Sequence, residues 1–159
     1  FENGSCTGHM YPAFEATLSA AQTLTESTYV KVQFNTENFD TDSMYDNSTN
    51  YRFTPTVAGK YFFYLNIDFD SGGAGEFERA ILTFYKNGSA VHNQIEGETS
   101  QQNGNKRGIF SIQKIIDMDG SSDYVEAFVF LEHDGQGAGK VRSFSSNKSN
   151  IFGAYRIGA

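Results

Sequence analysis

The chain has 159 residues, enough for one domain with its own core, and it is 15% aromatic with a formal net charge of −7. Its 12 basic residues against 19 acidic ones argue against a nucleic-acid partner, since binding phosphates requires clustered Lys and Arg. No stretch has the length and apolarity of a membrane-inserted helix, and the lone cysteine, Cys6, excludes an internal disulfide.

Short aromatic and β-branched runs, separated by Gly, Asn, Asp and Ser, predict an all-β domain. Residues 1–11 lack any pattern and are interpreted as a tail or the end of a linker, and residues 12–159 as the domain. Because the first residue is not Met, we expect a processed or excised piece, or a chain whose first residues are missing. In chain order the main strands are predicted at 12–19, 28–34, 51–54, 60–70, 78–86, 90–95, 107–117, 124–133 and 149–157.

Turn signals complete this prediction. Asn87-Gly88 predicts a tight hairpin turn, and residues 35–50 predict a long ordered loop with at most one short strand. About ten short antiparallel strands with regular turns indicate a two-sheet sandwich or jelly roll.

Two of the predicted strands are aromatic on both faces. In 60–70, Phe62 and Tyr64 lie opposite the apolar face that begins with Tyr61, and in 124–133, Phe128 and Phe130 lie opposite a second apolar face. A strand that is apolar on both faces must be buried on both sides. We therefore expect these four residues to line a contact with further copies of the chain; the alternative is that they fill the monomer's own core or lie beneath loops.

An ordered series of residues carries a family resemblance, and it runs Phe34, Asp40, Tyr45, Phe53, Gly59, Tyr61, Phe63 and, near the end, Phe152 and Gly153. On these residues the chain resembles the C1q/tumour-necrosis-factor-like jelly roll over about residues 12–158. It departs from the family in a gap between Tyr45 and Phe53 that is one residue longer and in Leu65, where an aromatic residue is usual. The resemblance implies a homotrimer of two-sheet jelly rolls.

The runs 31–37, 51–61 and 152–158 look like C1q-like modules of bacteriophage virion proteins. The chain has no collagen-like Gly-x-y stalk and no cysteine pair within the domain. The resemblance therefore implies a non-enzymatic protein on the virion surface, either a fibre tip that binds a host glycan or protein receptor, or a capsid decoration that binds capsid or tail proteins. The alternative is a secreted, extracellular C1q-like recognition or signalling module of a cell.

Polar, Gly-rich loops are the expected contact sites, since recognition is commonly carried by loops on a rigid scaffold. The candidate contact residues are Asp70, Ser71, Gly75, Gln101, Asn103, Lys106, Asp134, Gln136 and Lys140.

Catalytic and cofactor signals are weak. No Ser/His/Asp or Cys/His arrangement is apparent, and the pairs Asp68/Asp70 and Asp117/Asp119 are the remaining candidates for carboxylate chemistry. Residues 117–123 resemble a calcium loop but lack the closing Glu and the full ligand spacing. We expect no catalytic residue, no metal and no cofactor, with calcium near the trimer apex as the alternative that the resemblance leaves open.

Overall fold

The computed structural model describes residues 12–72, 77–96, 107–134, 138–142 and 149–159, with the backbone alone for 94–96. All regular structure in these ranges is β, in two antiparallel sheets. The first sheet contains β1 (Ala13–Thr17), β2 (Gln22–Thr23), β4 (Thr36–Asp40), β7 (Gly59–Asp70), β10 (Arg107–Met118), β12 (Lys140–Val141) and β13 (Ile151–Gly158). The second contains β3 (Val30–Lys31), β5 (Tyr45–Asp46), β6 (Arg52–Phe53), β8 (Phe77–Lys86), β9 (Ser89–Glu96) and β11 (Val125–His133).

Strand β7 is the centre of the first sheet. On one side it pairs along its whole length with β10, and on the other it pairs first with β13 and then, at its end, with β12. Strand β13 pairs in turn with β1, and β1 with β4. In the second sheet β11 pairs with β8 on one side and with β3 and β6 on the other.

The core lies between the sheets and is strongly aromatic. Alternate residues of β7, from Tyr61 to Phe69, are fully buried, as the alternation in the sequence predicts. The Phe14 ring lies 4.5 Å from Phe53 and 4.7 Å from Tyr45 in stacked arrangements, and 5.0 Å from Phe152 edge to face. Residues from both sheets thus form one contiguous core, as expected of a sandwich.

The predicted fold class, an all-β jelly-roll sandwich, is confirmed. The hairpin turn at Asn87-Gly88 is also confirmed: both residues have positive φ, 52° and 78°, as a type I′ turn requires. The predicted strand 28–34 is shorter, because only Val30–Lys31 pair with β11, although Val32 and Phe34 are buried. The predicted loop 35–50 contains two strands, β4 and β5.

The sandwich has two distinct ends. At one end lie the start of β1 and the end of β13, where the amide of Arg156 donates to the carbonyl oxygen of Pro12 at 3.0 Å. At the other end, which we call the loop end, lie Asp70, Phe77, Arg107, His133 and Lys140. Asp70 is in register with both Arg107 and Lys140, and Phe77 with His133, so these strand ends converge.

Candidate interaction surfaces

The outer face of the first sheet, opposite the core, carries rows of residues that the strand register places side by side. In one row Ile115 of β10, Phe62 of β7 and Tyr155 of β13 lie next to one another. The Phe62 and Tyr155 rings are 5.4 Å apart. Since Phe62 is only partly buried and Ile115 and Tyr155 are 51% and 45% exposed, this row is an apolar stripe open to solvent.

In the next row, a side-chain hydrogen bond connects β7 with β1 across the strand between them, β13. Tyr64 of β7 is in register with Gly153 of β13, which is in register with Glu15 of β1. The Tyr64 hydroxyl donates to Glu15 Oε2 at 2.9 Å, and Asn38 Nδ2 donates to Glu15 Oε1 at 2.7 Å. Burial, together with the neighbouring Glu15 carboxylate, raises the pKa of Tyr64, so its hydroxyl stays protonated and continues to donate.

Exposed apolar side chains are concentrated on this same face. Within the described ranges eight large hydrophobic side chains are exposed, and four of them lie on the outer face of the first sheet by register: Phe39, Ile109, Ile115 and Tyr155. Their exposed fractions are 45%, 61%, 51% and 45%. Of these four, Ile115 and Tyr155 flank Phe62 in one row, and clustered exposed apolar side chains of this kind are typical of a protein–protein contact.

The outer face of the second sheet is aromatic too, and its rings pack against one another and against cationic side chains of the same chain. Phe128 stacks on Tyr85 with centroids 4.3 Å apart, and Lys31 Nζ lies 5.9 Å from the Phe128 ring. Phe130 is 8% exposed, with its ring 5.2 Å from Tyr29.

Two basic side chains on this face are also held by acidic partners. Lys31 forms a 2.5 Å ion pair with Glu126. The Arg79 guanidinium lies 4.9 Å from the Phe130 ring and forms a 2.9 Å ion pair with Glu132. Lys31 and Arg79 therefore each contact an aromatic ring and an acidic side chain of the same chain.

The four residues predicted to form one self-contact are thus divided between two faces. Phe62 and Tyr64 lie on the outer face of the first sheet, whereas Phe128 and Phe130 lie on the outer face of the second. Phe130 is 8% exposed, whereas Phe128, like Phe62, is only partly buried. Sequence alternation alone did not single out Ile115 and Tyr155, which lie beside Phe62.

The residues that carry the family resemblance lie in the core and in the turns beside it. Phe34, Phe53, Tyr61, Phe63 and Phe152 are fully buried, and Tyr45 is 6% exposed. The Tyr45 hydroxyl donates to the carbonyl oxygen of Phe34 at 3.0 Å, and Asp40 Oδ2 accepts from the Tyr45 amide at 2.7 Å. Gly59 has φ of 144°, a conformation that side chains disfavour.

A buried ionic network lies at the loop end. Asp68, 3% exposed, pairs with Arg142 Nη1 at 3.3 Å and accepts from Ser149 Oγ at 3.2 Å. Asp70 Oδ2 accepts from Arg107 Nε at 3.1 Å. Burial opposes ionisation of Asp70, but the Gly72 amide and the charges of Lys140 and Arg107 outweigh it and lower its pKa. Both carboxylates of the Asp68/Asp70 pair are therefore engaged by cations.

The predicted contact residues that the structure describes lie at this end. Asp70 and Ser71 are buried, Lys140 is partly buried beside Asp70, and Asp134 is exposed. Gly75, Gln101, Asn103, Lys106 and Gln136 lie outside the described residues.

The candidate calcium loop is held by its own donors. Asp119 Oδ1 accepts from the amides of Ser121, Ser122 and Asp123 at 2.9–3.0 Å, and Oδ2 from the hydroxyls of Ser121 and Ser122. These bonds lower the pKa of Asp119. In the part of the chain that the structure describes, no group of three or more His, Cys, Asp or Glu residues is placed to hold a metal ion, and no helix could cross a membrane.

Comparison with known proteins identifies the fold. No protein-family model matches the sequence, and no curated protein is significantly similar to it in sequence. Among solved structures, murine APRIL at pH 5.0 superposes with a TM-score of 0.66 at 8% identity, covering 92% of this chain and 99% of APRIL. Eiger TNF from S. frugiperda superposes with a TM-score of 0.62 at 7% identity, covering 92% of each chain. Murine APRIL at pH 8.5 superposes with a TM-score of 0.59 at 9% identity, covering 92% of this chain and 99% of APRIL. The chain therefore has the TNF-like jelly-roll fold.

Proposed function

We propose that this protein is a non-enzymatic binding module that assembles as a homotrimer through the outer face of the first sheet. The observation that carries the proposal is the apolar stripe of Ile115, Phe62 and Tyr155, which is open to solvent in the single chain. The resemblance to the C1q/TNF-like family supports the same assembly.

The size of the effect favours association. Full burial of a side chain such as Ile or Phe contributes about 1.5–3 kcal/mol. Since Ile115 and Tyr155 are 51% and 45% exposed, burying what remains would contribute about 1 kcal/mol for each residue in each chain. By contrast, Phe130 of the second sheet is 8% exposed and its ring lies against Arg79, so burying it against a second copy would contribute less.

Sedimentation velocity tests the assembly. The wild type at micromolar concentration should sediment at about three times 17.6 kDa. Ile115→Asp, which puts a charge in the stripe, should give monomers that keep the β-sheet circular dichroism. Val91→Asp is the matched control, because Val91 is also exposed, at 38%, but lies on β9 of the second sheet. A monomeric wild type, or a trimeric Ile115→Asp variant, would contradict the proposed interface.

We also propose that the trimer is displayed on a bacteriophage particle and contacts its partner with the loop end. The resemblance of runs 31–37, 51–61 and 152–158 to phage virion modules supports this placement. The loop end supports the contact role, since the predicted contact residue Asp134 is exposed and Lys140 partly exposed there, on a scaffold fixed by the buried Asp68–Arg142 ion pair. The predicted contact residues Asp70 and Ser71 are buried and are not part of the proposed contact. If the protein is a fibre tip, its partner is a host receptor. If it is a capsid decoration, its partner is the neighbouring capsid subunits.

Imaging of purified particles with an antibody against the chain tests this placement. Labelling at the tail or fibre tips would support host attachment, and labelling over the shell would support capsid decoration. Absence of label from the particles would overturn the virion role and favour a secreted recognition or signalling module.

A further inference from the structure

Gly153, on the outer face of the first sheet, lies between two hydrogen-bonded residues, Tyr64 and Glu15, that a side chain at position 153 would separate. Tyr64, Gly153 and Glu15 occupy one row on β7, β13 and β1. Adjacent strands are about 4.8 Å apart, so Tyr64 and Glu15 are two strand spacings from each other. The Tyr64 hydroxyl nevertheless reaches Glu15 Oε2 at 2.9 Å. The Tyr64 ring must therefore lie flat across the middle strand, over Gly153.

The space over Gly153 is fully used by that ring. A Cβ atom at position 153 would lie 2.8 Å from Tyr64 Cε2 and closer still to Tyr64 Cζ and the hydroxyl oxygen. Its three nearest neighbours all belong to the outer half of the Tyr64 side chain, and none is backbone. An alanine is therefore expected to displace the ring and leave the strands in place.

We propose that Gly153 is the positioning residue of the self-contact: it lets Tyr64 lie flat, and the flat ring gives the outer face of the first sheet the shape that a second copy packs against. This inference rests on the proposed homotrimer. The apolar stripe lies in the next row, where Phe62 is two residues from Tyr64 and Tyr155 two residues from Gly153. A ring raised from the sheet would hold the partner away from this stripe, because close packing at an interface tolerates little added volume.

The test compares glycine substitutions on the same strand. Gly153→Ala should raise the trimer dissociation constant about tenfold or more, as expected of added volume in a packed contact. The fold of the single protomer should be unchanged. Gly158→Ala is the matched control, since a Cβ at Gly158 meets nothing within 4 Å, and its dissociation constant should stay within about twofold of wild type.

A double-mutant cycle separates a positioning role from a general effect of the substitution. Tyr64→Ala removes the ring and should itself weaken the trimer. In the Tyr64→Ala background Gly153→Ala should have no further effect, because no ring remains to be displaced. Equal effects of Gly153→Ala in both backgrounds would overturn the inference, as would a Gly153→Ala trimer as tight as wild type.

Failure of the proposed assembly has a different signature. A monomeric wild type would contradict the homotrimer itself. A trimeric wild type with an unaffected Gly153→Ala variant would contradict only the role of Gly153. Thermal unfolding of each variant under conditions that keep it monomeric checks the fold: loss of the cooperative transition in Gly153→Ala would show that Gly153 serves folding, which would also overturn the positioning role.

Discussion

The side chain of Asn150 takes the place of a backbone neighbour beside Asp68. Strand β7 pairs with β13 as far as Asn66 and with β12 from Phe69 onward, so Asp68 lies in the interval between the two. There the Asp68 amide donates to Asn150 Oδ1 at 2.7 Å, and Asn150 Nδ2 donates to the carbonyl oxygen of Arg142. One buried amide thus joins two strands that would otherwise meet at a gap in the sheet.

Removing this amide should be costly. Asn150→Ala leaves the Asp68 amide and the Arg142 carbonyl without their partner in a site that is 3% exposed. Such a loss costs about 1–3 kcal/mol in the free energy of unfolding, measured by urea denaturation. Asn150→Asp should not restore stability at neutral pH, because an ionised carboxylate accepts but cannot donate to Arg142. Gln33→Ala, at an exposed amide, should stay within about 0.5 kcal/mol of wild type; an equal loss there would contradict the assignment.

Lys114 should protect an open sheet edge. Among the described residues β10 pairs only with β7, so no described strand lies along its other side. Lys114 is in register with the buried Phe63 and lies between Ile112 and Ile116 on the core side of the strand, yet it is exposed. An inward-pointing charge on an edge strand opposes pairing with other chains.

The corresponding measurement is light scattering against protein concentration. Lys114→Val should aggregate at concentrations where the wild type stays clear, because it completes an apolar edge strand. Lys114→Glu keeps a charge at the position and should remain soluble. A soluble Lys114→Val variant would show that the edge is protected by something else.

Asp46 should make stability depend on acid pH. The amides of Thr49 and Ser48 and the side chain of Asn50 donate to its carboxylate, and despite some burial they hold its pKa below the usual range. A carboxyl whose pKa is lower in the folded chain stabilises the fold above its unfolded pKa, and that contribution is lost as the pH falls.

Asp46→Asn should therefore lower the free energy of unfolding by about 1 kcal/mol at pH 7, comparable to loss of a helix cap, and the difference from wild type should shrink below about pH 4. Asp42→Asn, at an exposed carboxylate in the preceding turn, is the control and should show little change at either pH. A deficit in Asp46→Asn that stays constant between pH 7 and pH 3 would rule out the charge as its origin.

Calcium should not change the melting temperature. Both Asp119 oxygens already accept hydrogen bonds from residues 121–123, so a cation would have to displace them. Differential scanning calorimetry with millimolar calcium or a chelator should give the same transition. A calcium-dependent rise that Asp119→Ala abolishes would instead identify this turn as a cation site.

Sequence alternation predicted the elements whose side chains are divided cleanly between core and solvent. Strand β7 is the clearest case, because Tyr61 and Phe63 are buried while Phe62 and Tyr64 are not fully buried. It did not predict β4, since Thr36–Asp40 is polar and mostly exposed, and its pairing with β1 determines its structure.

The candidate surface was predicted only in part for a related reason. The solvent exposure of an aromatic ring depends on neighbours that are distant in sequence: Arg79 lies against Phe130, and Tyr85 stacks on Phe128. Likewise, the reason for a glycine at position 153 appears only when β7, β13 and β1 lie side by side. Local patterns carry no information on such contacts, because they are set by strand order and register.

The adjacency of Pro12 and Arg156 has a practical consequence for handling the molecule. Since Pro12 and Ala159 both lie on the side away from the loop end, a tether attached at either of these positions would orient the described domain alike on a support. A surface-binding assay could then expose the same pole to every analyte, whichever of the two positions carries the tether. A short linker from position 159 to position 12 would also allow new ends to be opened at Asn87-Gly88 without crossing the core.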